Sequence, residues 1–402
     1  MKNKNGKKYD IAVIGGAGHV GLPLALVFAS KGLKVLIHDI NESSMSRIAA
    51  GKLPFIEHGA EPLLEKALKE DLLFFSTDPA DISSAPALVV TIGTPVDEFH
   101  NPVHKAMKEC LEPLLPHCSD NTLLVLRSTV FPGTTEWLDN YLKANGKNMH
   151  VAFCPERIVQ GFAIKELQCL PQIISGTTEK AEKESAALFG MITDKLVPLK
   201  PIEAEFAKLF SNAYRYIQFA TTNQFYTMTA AAGVDYHNVL EGIKKDYSRA
   251  ADLPGPGFAA GPCLFKDTMQ LAAFSNNQFS LGHAAMLVNE GLVMHMIGTL
   301  SKDHELENTT VGLLGMAFKA DSDDIRSSLS YKMKKLLKFR VKELLTTDPH
   351  VTQDPSLLPA DEVVEKSDVL VLCVPHQAYK GLDTKGKPVL DIWGFFRKPR
   401  KR

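Results

Sequence analysis

Long apolar runs, net charge and cysteine are what this sequence has little of. No stretch reaches the roughly 18 apolar residues of a membrane span. The best candidate, Ala284 to Leu300, is broken by Asn289, Glu290 and His295. The N-terminal MKNKNGKKYD has no apolar core of the kind a secretory signal needs. Lys and Arg number 45 against 46 Asp and Glu, a net charge of −1, so no positive field points to nucleic acid. Six cysteines in 402 residues do not make a disulfide framework, and a cytoplasmic setting is the expectation. The 13 histidines are scattered, with no HExxH and no CxxC pair, so no metal is expected. Low-complexity tracts and short-period repeats are also missing. What is present is 45% apolar and 23% charged residues, the balance of a globular chain long enough for two or three domains.

The first third alternates short β-rich runs with helix-length segments. The runs are Tyr9–Ile14, Lys34–His38, Leu72–Phe75, Ala87–Ile92, Leu123–Leu126, Val151–Phe153 and Ile173–Ile174. Leu22–Lys31 and Ala60–Lys69 are two of the helical segments. This alternation predicts an α/β fold, a parallel sheet covered by helices on both faces. From Ile202 to Ala232 strand signals and proline vanish. Phe206, Leu209, Phe210, Ala213, Ile217 and Ala220 recur at helical spacing, and Gly233 is a stop. The spacing predicts one helix of about 30 residues, of the kind that links domains or forms a subunit interface. A Pro/Gly-rich loop, Leu253–Pro262, and a helix through Leu281–Leu300 follow. His304–Thr310 reads as a linker. Thr310–Gly315, Val369–Val374 and Val389–Ile392 then mark a second, smaller α/β region. The expected divisions are 1–200, 201–303 and 304–402. The closing RKPRKR reads as a solvated tail.

Gly16-Ala17-Gly18-His19-Val20-Gly21 is a GxGxxG directly after a strand and before a helix. Alone it is weak; in that setting it is a dinucleotide fingerprint. The glycines permit a tight turn, close approach to a pyrophosphate and close helix packing. The helix N-terminus then faces the phosphates. Asp39 ends the second run. An acid there accepts hydrogen bonds from the adenosine ribose and repels a 2′-phosphate, which favours NAD over NADP. The plainer alternative is a structural turn capped by Asp39. Gly93-Thr94-Pro95 and Ser128–Thr135, with Thr129, follow later strands, where open α/β sheets bind ligands.

Cys263 stands in GPCLFKD, after the Pro/Gly loop and at an expected helix start, with Pro262 in the first turn. A helix N-terminus stabilises a thiolate. Asp267, four residues on, shares the face of the thiol, and Lys266 is expected to point elsewhere. Cys110, Cys118, Cys154, Cys169 and Cys373 read as small buried residues. Glu205, Lys208 and Asn212 fall on one face of the long helix; a solvated stripe is the ordinary alternative.

Together these motifs resemble the nucleotide-sugar 6-dehydrogenases, the UDP-glucose/GDP-mannose dehydrogenase family. The likeness covers nearly the whole chain in order. It rests on GGAGHVGLPLA, GTP, STVFPGTT, PERIVQG, EAEFAKLFSNAYR, GPGFAAGPCLFKD and GMAFKADSDDIRSS. It implies a Rossmann-type NAD domain, a central helical region through which two copies dimerise, and a C-terminal domain that binds a UDP-sugar. It also implies two successive oxidations at sugar C6, from alcohol to carboxylate, with two NAD reduced. Cys263 matches the family nucleophile, which forms a thiohemiacetal and then a thioester. Lys208 and Asn212 match groups that stabilise the oxyanion. Asp267 matches a carboxylate that positions water, and Thr129 and Glu156 match residues near the same water. Gly16, Gly18, His19, Val20, Gly21, Asp39, Thr94, Thr129 and Arg326 match cofactor contacts. Glu156, Arg157, Lys208, Asn212, Gly257, Phe318 and Lys319 match substrate contacts, and Arg249 matches an arginine given to a neighbouring subunit. Ala260-Gly261-Pro262 replaces the Gly-Gly-Ser or Gly-Gly-His of relatives, and Trp393 stands where many place arginine.

The expected substrate is a UDP-N-acetylhexosamine, with UDP-glucose the alternative. Two readings of other classes compete: a two-electron hydroxyacid dehydrogenase, and a sugar-nucleotide-binding protein without activity. The first needs no thiol. The second has no use for the intact set Lys208, Asn212, Cys263 and Asp267. No nucleic acid or membrane partner is expected.

Overall fold

The computed structural model describes residues 9–94, 96–99 and 102–397. Pro95 of the GTP loop and all but the first residue of the basic tail lie outside them. The chain forms two compact units, Met1–Phe210 and Ser211–Arg402.

The first unit is built on six parallel strands: β1 (Ile11–Ile14), β2 (Val35–His38), β3 (Leu73–Ser76), β4 (Ala87–Val90), β5 (Leu123–Leu126) and β6 (His150–Phe153). Their order is β3-β2-β1-β4-β5-β6. The reversal of direction between β1 and β4 is where such sheets bind dinucleotides. Successive residues of one strand serve opposite cores. Ile11, Val13, Val35, Ile37, Val89 and Val125 pack with helix α1 (Gly21–Ser30). Ala12, Ile14, Leu36, Leu88, Val90 and Leu124 pack on the other face. Every residue of α1 from Gly21 to Ala29 is buried, as a helix lying on a sheet under further cover requires. Helix α2 (Thr134–Ala144) follows β5. The run at Ile173–Ile174 does not join the main sheet. It forms β7 (Gln172–Ile174), which pairs with β8 (Leu196–Pro198), an exposed strand of three residues ending in proline and too short to read beforehand.

Helix α3 (Pro201–Ala231) has 31 residues, about 46 Å at 1.5 Å per residue. Pro201 opens it, where a missing N–H costs nothing. Gly233, at φ +68°, ends it. The second unit continues with α4 (Tyr236–Lys244), α5 (Leu264–Phe274) and α6 (Ser280–Asp303). Four parallel strands follow: β9 (Thr310–Leu314), β10 (Glu343–Thr347), β11 (Val369–Leu372) and β12 (Val389–Leu390), ordered β10-β9-β11-β12. Helix α7 (Leu329–Leu337) lies between β9 and β10 in the chain. Leu292, Val293 and Met296 of α6 and Met333 of α7 pack on Val311, Leu313, Val369 and Val371.

Candidate active site

In the first unit the glycine loop shows why each glycine is there. A Cβ on Gly16 would stand 2.8 Å from the Val13 carbonyl, and one on Gly21 2.6 Å from the Gly15 carbonyl. The positive φ belongs to Gly15, at +77°, one residue ahead of the GxGxxG. Gly18 is the open one, with only the Gly15 oxygen at 3.5 Å. Such a loop leaves room for a phosphate against its backbone. His19 stacks on Phe55, centroids 4.0 Å apart, and Val20 caps α1. Asp39 Oδ2 accepts from Ala17 N at 3.0 Å and Oδ1 from Asn41 N at 2.9 Å. Asp39 therefore braces the loop that the dinucleotide fingerprint defines. Thr94 donates its hydroxyl to the Thr129 carbonyl, tying together the loops after β4 and β5.

Two buried carboxylates in this unit are held by donors the sequence reading missed. Glu156 Oε2 receives Arg127 Nε at 3.1 Å and Nη2 at 2.6 Å, with Arg127 wholly buried. Glu156 Oε1 receives Arg157 N at 2.8 Å and Ile158 N at 3.1 Å. A lone arginine inside a strand-to-loop junction was the available signal for this pair. The Arg157 guanidinium itself donates to the Pro171 carbonyl. Glu205 is not on a solvated stripe, being 1% exposed. It accepts from Gly133 N at 2.6 Å, Thr135 N at 2.8 Å and the Thr135 hydroxyl at 2.6 Å, and so caps α2. Burial raises its pKa against those hydrogen bonds. Lys208, further along α3, is also buried.

In the second unit Cys263 is exposed and is itself the cap residue of α5. Pro262 therefore stands one residue ahead of the cap, not in the first turn. Asn212 Nδ2 donates to Asp267 Oδ2 at 2.6 Å, both residues buried. Asp267 Oδ1 is buried and has no hydrogen-bond partner among the described residues. Lys266 does reach that oxygen, at 3.8 Å, contrary to expectation. Cys169 departs from expectation too: it is exposed, at the end of a short helix, while Cys118, Cys154 and Cys373 are buried. Burial pushes the Cys154 thiol up to about 11 and Cys373 to about 12.

The loop before Cys263 is fixed from three sides. Gly257 N donates to Asn223 Oδ1 at 2.8 Å, and Asn223 Nδ2 returns a bond to the Gly257 carbonyl at 2.9 Å. Gly261, at φ +100°, lies against the Phe318 ring, which a Cβ would approach to 2.6 Å. Gly261 N donates to the Ser327 carbonyl at 3.3 Å. Lys319 is half-buried beside Phe318. Arg326 forks onto Asp324, with bonds of 3.0, 3.0 and 2.6 Å. Arg249 is exposed and stacks on Tyr247 at 5.1 Å.

One histidine cluster was illegible in the sequence because its members are far apart. Ligand atoms of Asp321, His350 and His376 lie within 4.8 Å of one another. Asp321 N donates to His376 Nδ1 at 3.0 Å, and His376 Nε2 meets Asp348 Oδ2 at 3.0 Å. Both ring nitrogens of His376 thus serve the protein's own loops.

Three models of one family match the chain. The NAD binding domain of the UDP-glucose/GDP-mannose dehydrogenase family matches residues 9–192, its central domain 202–291 and its UDP binding domain 312–398. The chain belongs to the UDP-glucose/GDP-mannose dehydrogenase family. It is 28% identical over 388 residues to a UDP-N-acetyl-D-mannosamine dehydrogenase of Pyrococcus horikoshii, covering 93% of this chain and 91% of that protein. The solved UDP-D-ManNAc dehydrogenase of Pyrococcus horikoshii superposes with a TM-score of 0.86 at 27% identity, covering 93% of this chain and 91% of that one. A UDP-glucose dehydrogenase from Pyrobaculum islandicum gives 0.87 at 25% identity, covering 97% and 95%.

Proposed function

We propose that this chain oxidises a UDP-N-acetylhexosamine twice at C6, giving the UDP-uronate, with Cys263 as nucleophile. The carrying observation is the buried pair behind that cysteine: Asn212 holds one oxygen of Asp267 and leaves the other without a hydrogen bond. An acceptor of this kind is what a water needs to be oriented and deprotonated. When bound, NAD supplies the acceptor for each of the two electron pairs, and the open Gly18 and braced Asp39 suit its pyrophosphate and ribose.

The chain's own residues do the rest. Cys263 adds to the aldehyde left by the first oxidation, forming a thiohemiacetal. Loss of a second electron pair gives a thioester. Water, aligned by Asp267, hydrolyses it to the carboxylate and restores the thiol. Lys208 and Asn212, one turn apart on α3, stabilise the oxyanion in each addition. Thr129 and Glu156, in the first unit, are assigned to the reaction by the family likeness. Arg157, Gly257, Phe318, Lys319 and a neighbouring subunit's Arg249 bind the substrate, and Thr94 and Arg326 bind the cofactor.

The relatives' names favour an N-acetylhexosamine. The Pyrobaculum islandicum likeness favours UDP-glucose as the second reading. Pro262 beside the nucleophile offers no hydrogen-bond donor to a sugar. Two copies pair through α3, where Phe210, Tyr214, Phe225 and Met228 are exposed. No helix among the described residues is long and apolar enough to cross a membrane; the cytoplasm is the proposed location. NADH formation across a panel of UDP- and GDP-sugars tests the substrate. Turnover of GDP-mannose with all UDP-sugars inert would overturn the reading.

A further inference from the structure

We propose that Asn289 is a positioning residue, acting through Asn223 on the loop that leads to Cys263. The consequence for catalysis rests on Cys263 being the nucleophile. Residues 256–259 are buried and lie in neither helix nor strand, so their main-chain polar groups have no ladder to join. Phe258 shares a core with Leu292, Val293 and Met296 of α6, and Ala259 one with Tyr216 and Ala220 of α3. Between them, Gly257 has both its N–H and its carbonyl served by the single side chain of Asn223. The other hydrogen of the Asn223 amide goes to Asn289 Oδ1 at 2.9 Å, and Asn289 Nδ2 donates to the Tyr216 carbonyl at 3.0 Å. Both asparagines are 0% exposed.

This chain of amides has a direction, set at each end by a main-chain group that cannot reverse. The Gly257 N–H only donates, so it faces Asn223 Oδ1. The Tyr216 carbonyl only accepts, so it faces Asn289 Nδ2 and leaves Asn289 Oδ1 turned to Asn223. Asn289 thus offers an acceptor where the Asn223 NH2 has a hydrogen left over. Removing Asn289 strands that hydrogen away from water and frees the Asn223 amide to rotate, because its terminal torsion is soft. The clamp on Gly257 then loosens. Gly261, at the far end of the loop, stays bonded to the Ser327 carbonyl, so the slack falls on the segment just ahead of the nucleophile.

The test uses the full-length chain and two measurements. The first is amide hydrogen exchange without any ligand. Asn289→Ala should speed exchange in residues 257–261 about tenfold and leave the rest of α3 and α6 at parental rates. Asn289→Ser, a milder change, should give a smaller effect in the same segment, and thermal unfolding confirms that each variant is folded. The second is turnover of UDP-N-acetyl-D-mannosamine with a carbonyl trap such as semicarbazide. A misplaced thiol captures the aldehyde less often, so trapped aldehyde should appear and NADH per uronate should rise above two. Uronate formation should slow by about tenfold to a hundredfold, with KM for NAD unchanged. A packing contact between α3 and α6 alone would lower the unfolding temperature without moving that ratio. In the Asn223→Ala background, Asn289→Ala should add nothing to either measurement. Parental exchange in residues 257–261 of Asn289→Ala, or full additivity of the two changes, overturns the proposal. Parental uronate production by Cys263→Ala would instead overturn the functional reading, and the exchange measurement, which needs no substrate, still decides this one.

Discussion

The indole of Trp393 occupies the space that a side chain on Gly257 would need: a Cβ there would stand 2.2 Å from the ring. Trp393 is pinned in turn by its Nε1, which donates to the Cys373 carbonyl at 3.1 Å. A tryptophan in the turn after the last strand thus packs on the loop that leads to Cys263. Gly257→Ala should be damaging twice over, through the ring contact and through a φ of +153°. We expect a loss of about 1–3 kcal/mol in stability, the usual cost of overpacking. We also expect a fall in kcat/KM, because the loop must move. Trp393→Ala in the same background should recover part of the stability. Calorimetry with steady-state kinetics on the three variants checks this, and additivity of the two changes would refute the contact as the cause.

Glu205 is a carboxylate buried for the sake of a helix end. Three donors converge on its two oxygens, and a carboxyl accepts from both backbone N–H groups in its neutral form as well as its charged one, because the Thr135 hydroxyl can turn to take the acid proton. Glu205→Gln keeps the shape but turns an NH2 toward one of the backbone N–H groups. We expect about 1–3 kcal/mol of lost stability, as for a buried donor left unpaired. Because burial raises the Glu205 pKa, the sign of its pH effect runs opposite to that of a salt-bridged acid. Its contribution is present below the unfolded pKa and fades as pH rises through the folded one. Denaturant titrations of parent and variant from pH 4 to 8 should converge as pH rises.

Asp348 holds the second sheet as Asp39 holds the first. It follows β10 and accepts from Met316 N at 2.6 Å and Ala317 N at 2.9 Å, in the loop after β9. His350 N and Val351 N bind its other oxygen. Burial would raise its pKa, but the hydrogen bond and charge of His376 and the backbone donors outweigh that and hold it at about 2. A depressed folded pKa contributes stability that is present above the unfolded value near 4 and is lost as pH falls toward 2. The expected contribution at neutral pH is about 2 kcal/mol. Asp348→Asn should lose it and flatten the acid limb of stability between pH 4 and 2. An unchanged acid limb would show that the carboxylate carries no such linkage.

The elements legible in the sequence were those whose pattern is local. β5 at Leu123–Leu126 and the helix at Ala60–Lys69 fall where the apolar runs place them. The 31-residue helix shows because nothing in it breaks the 3.6-residue period. β10 was missed because ELLTT lacks both alternation and β-branched apolar residues at its start. The site divides in the same way. Cys263, Asp267 and the glycine loop are short-range motifs. Arg127 with Glu156, Asn223 with Gly257 and Trp393 with Gly257 are pairs far apart in the chain, and no spacing rule brings them together. The stripe on α3 left two readings open for a related reason: helical phase says which residues share a face, not whether that face meets water.

The last expectation concerns electron count, which separates a thioester route from a two-electron dehydrogenase. The buried thiols are held in the un-ionised form by burial, whereas Cys263 is exposed at a helix N-terminus. Cys263→Ala changes little volume at an exposed position and should leave the fold and NAD binding intact. The first oxidation needs no thiol, so slow aldehyde formation can survive. The second should collapse, because a bare aldehyde has no hydride to give until a nucleophile adds to carbon. Hydration of the aldehyde leaves a slow leak, so uronate should fall by orders of magnitude and not to zero. The measurement is NADH and uronate formed per sugar nucleotide consumed. The parent should give two NADH per uronate. One NADH with no acid in the parent, or acid at the parental rate in Cys263→Ala, would return the protein to two-electron chemistry and leave Cys263 with no role in the reaction.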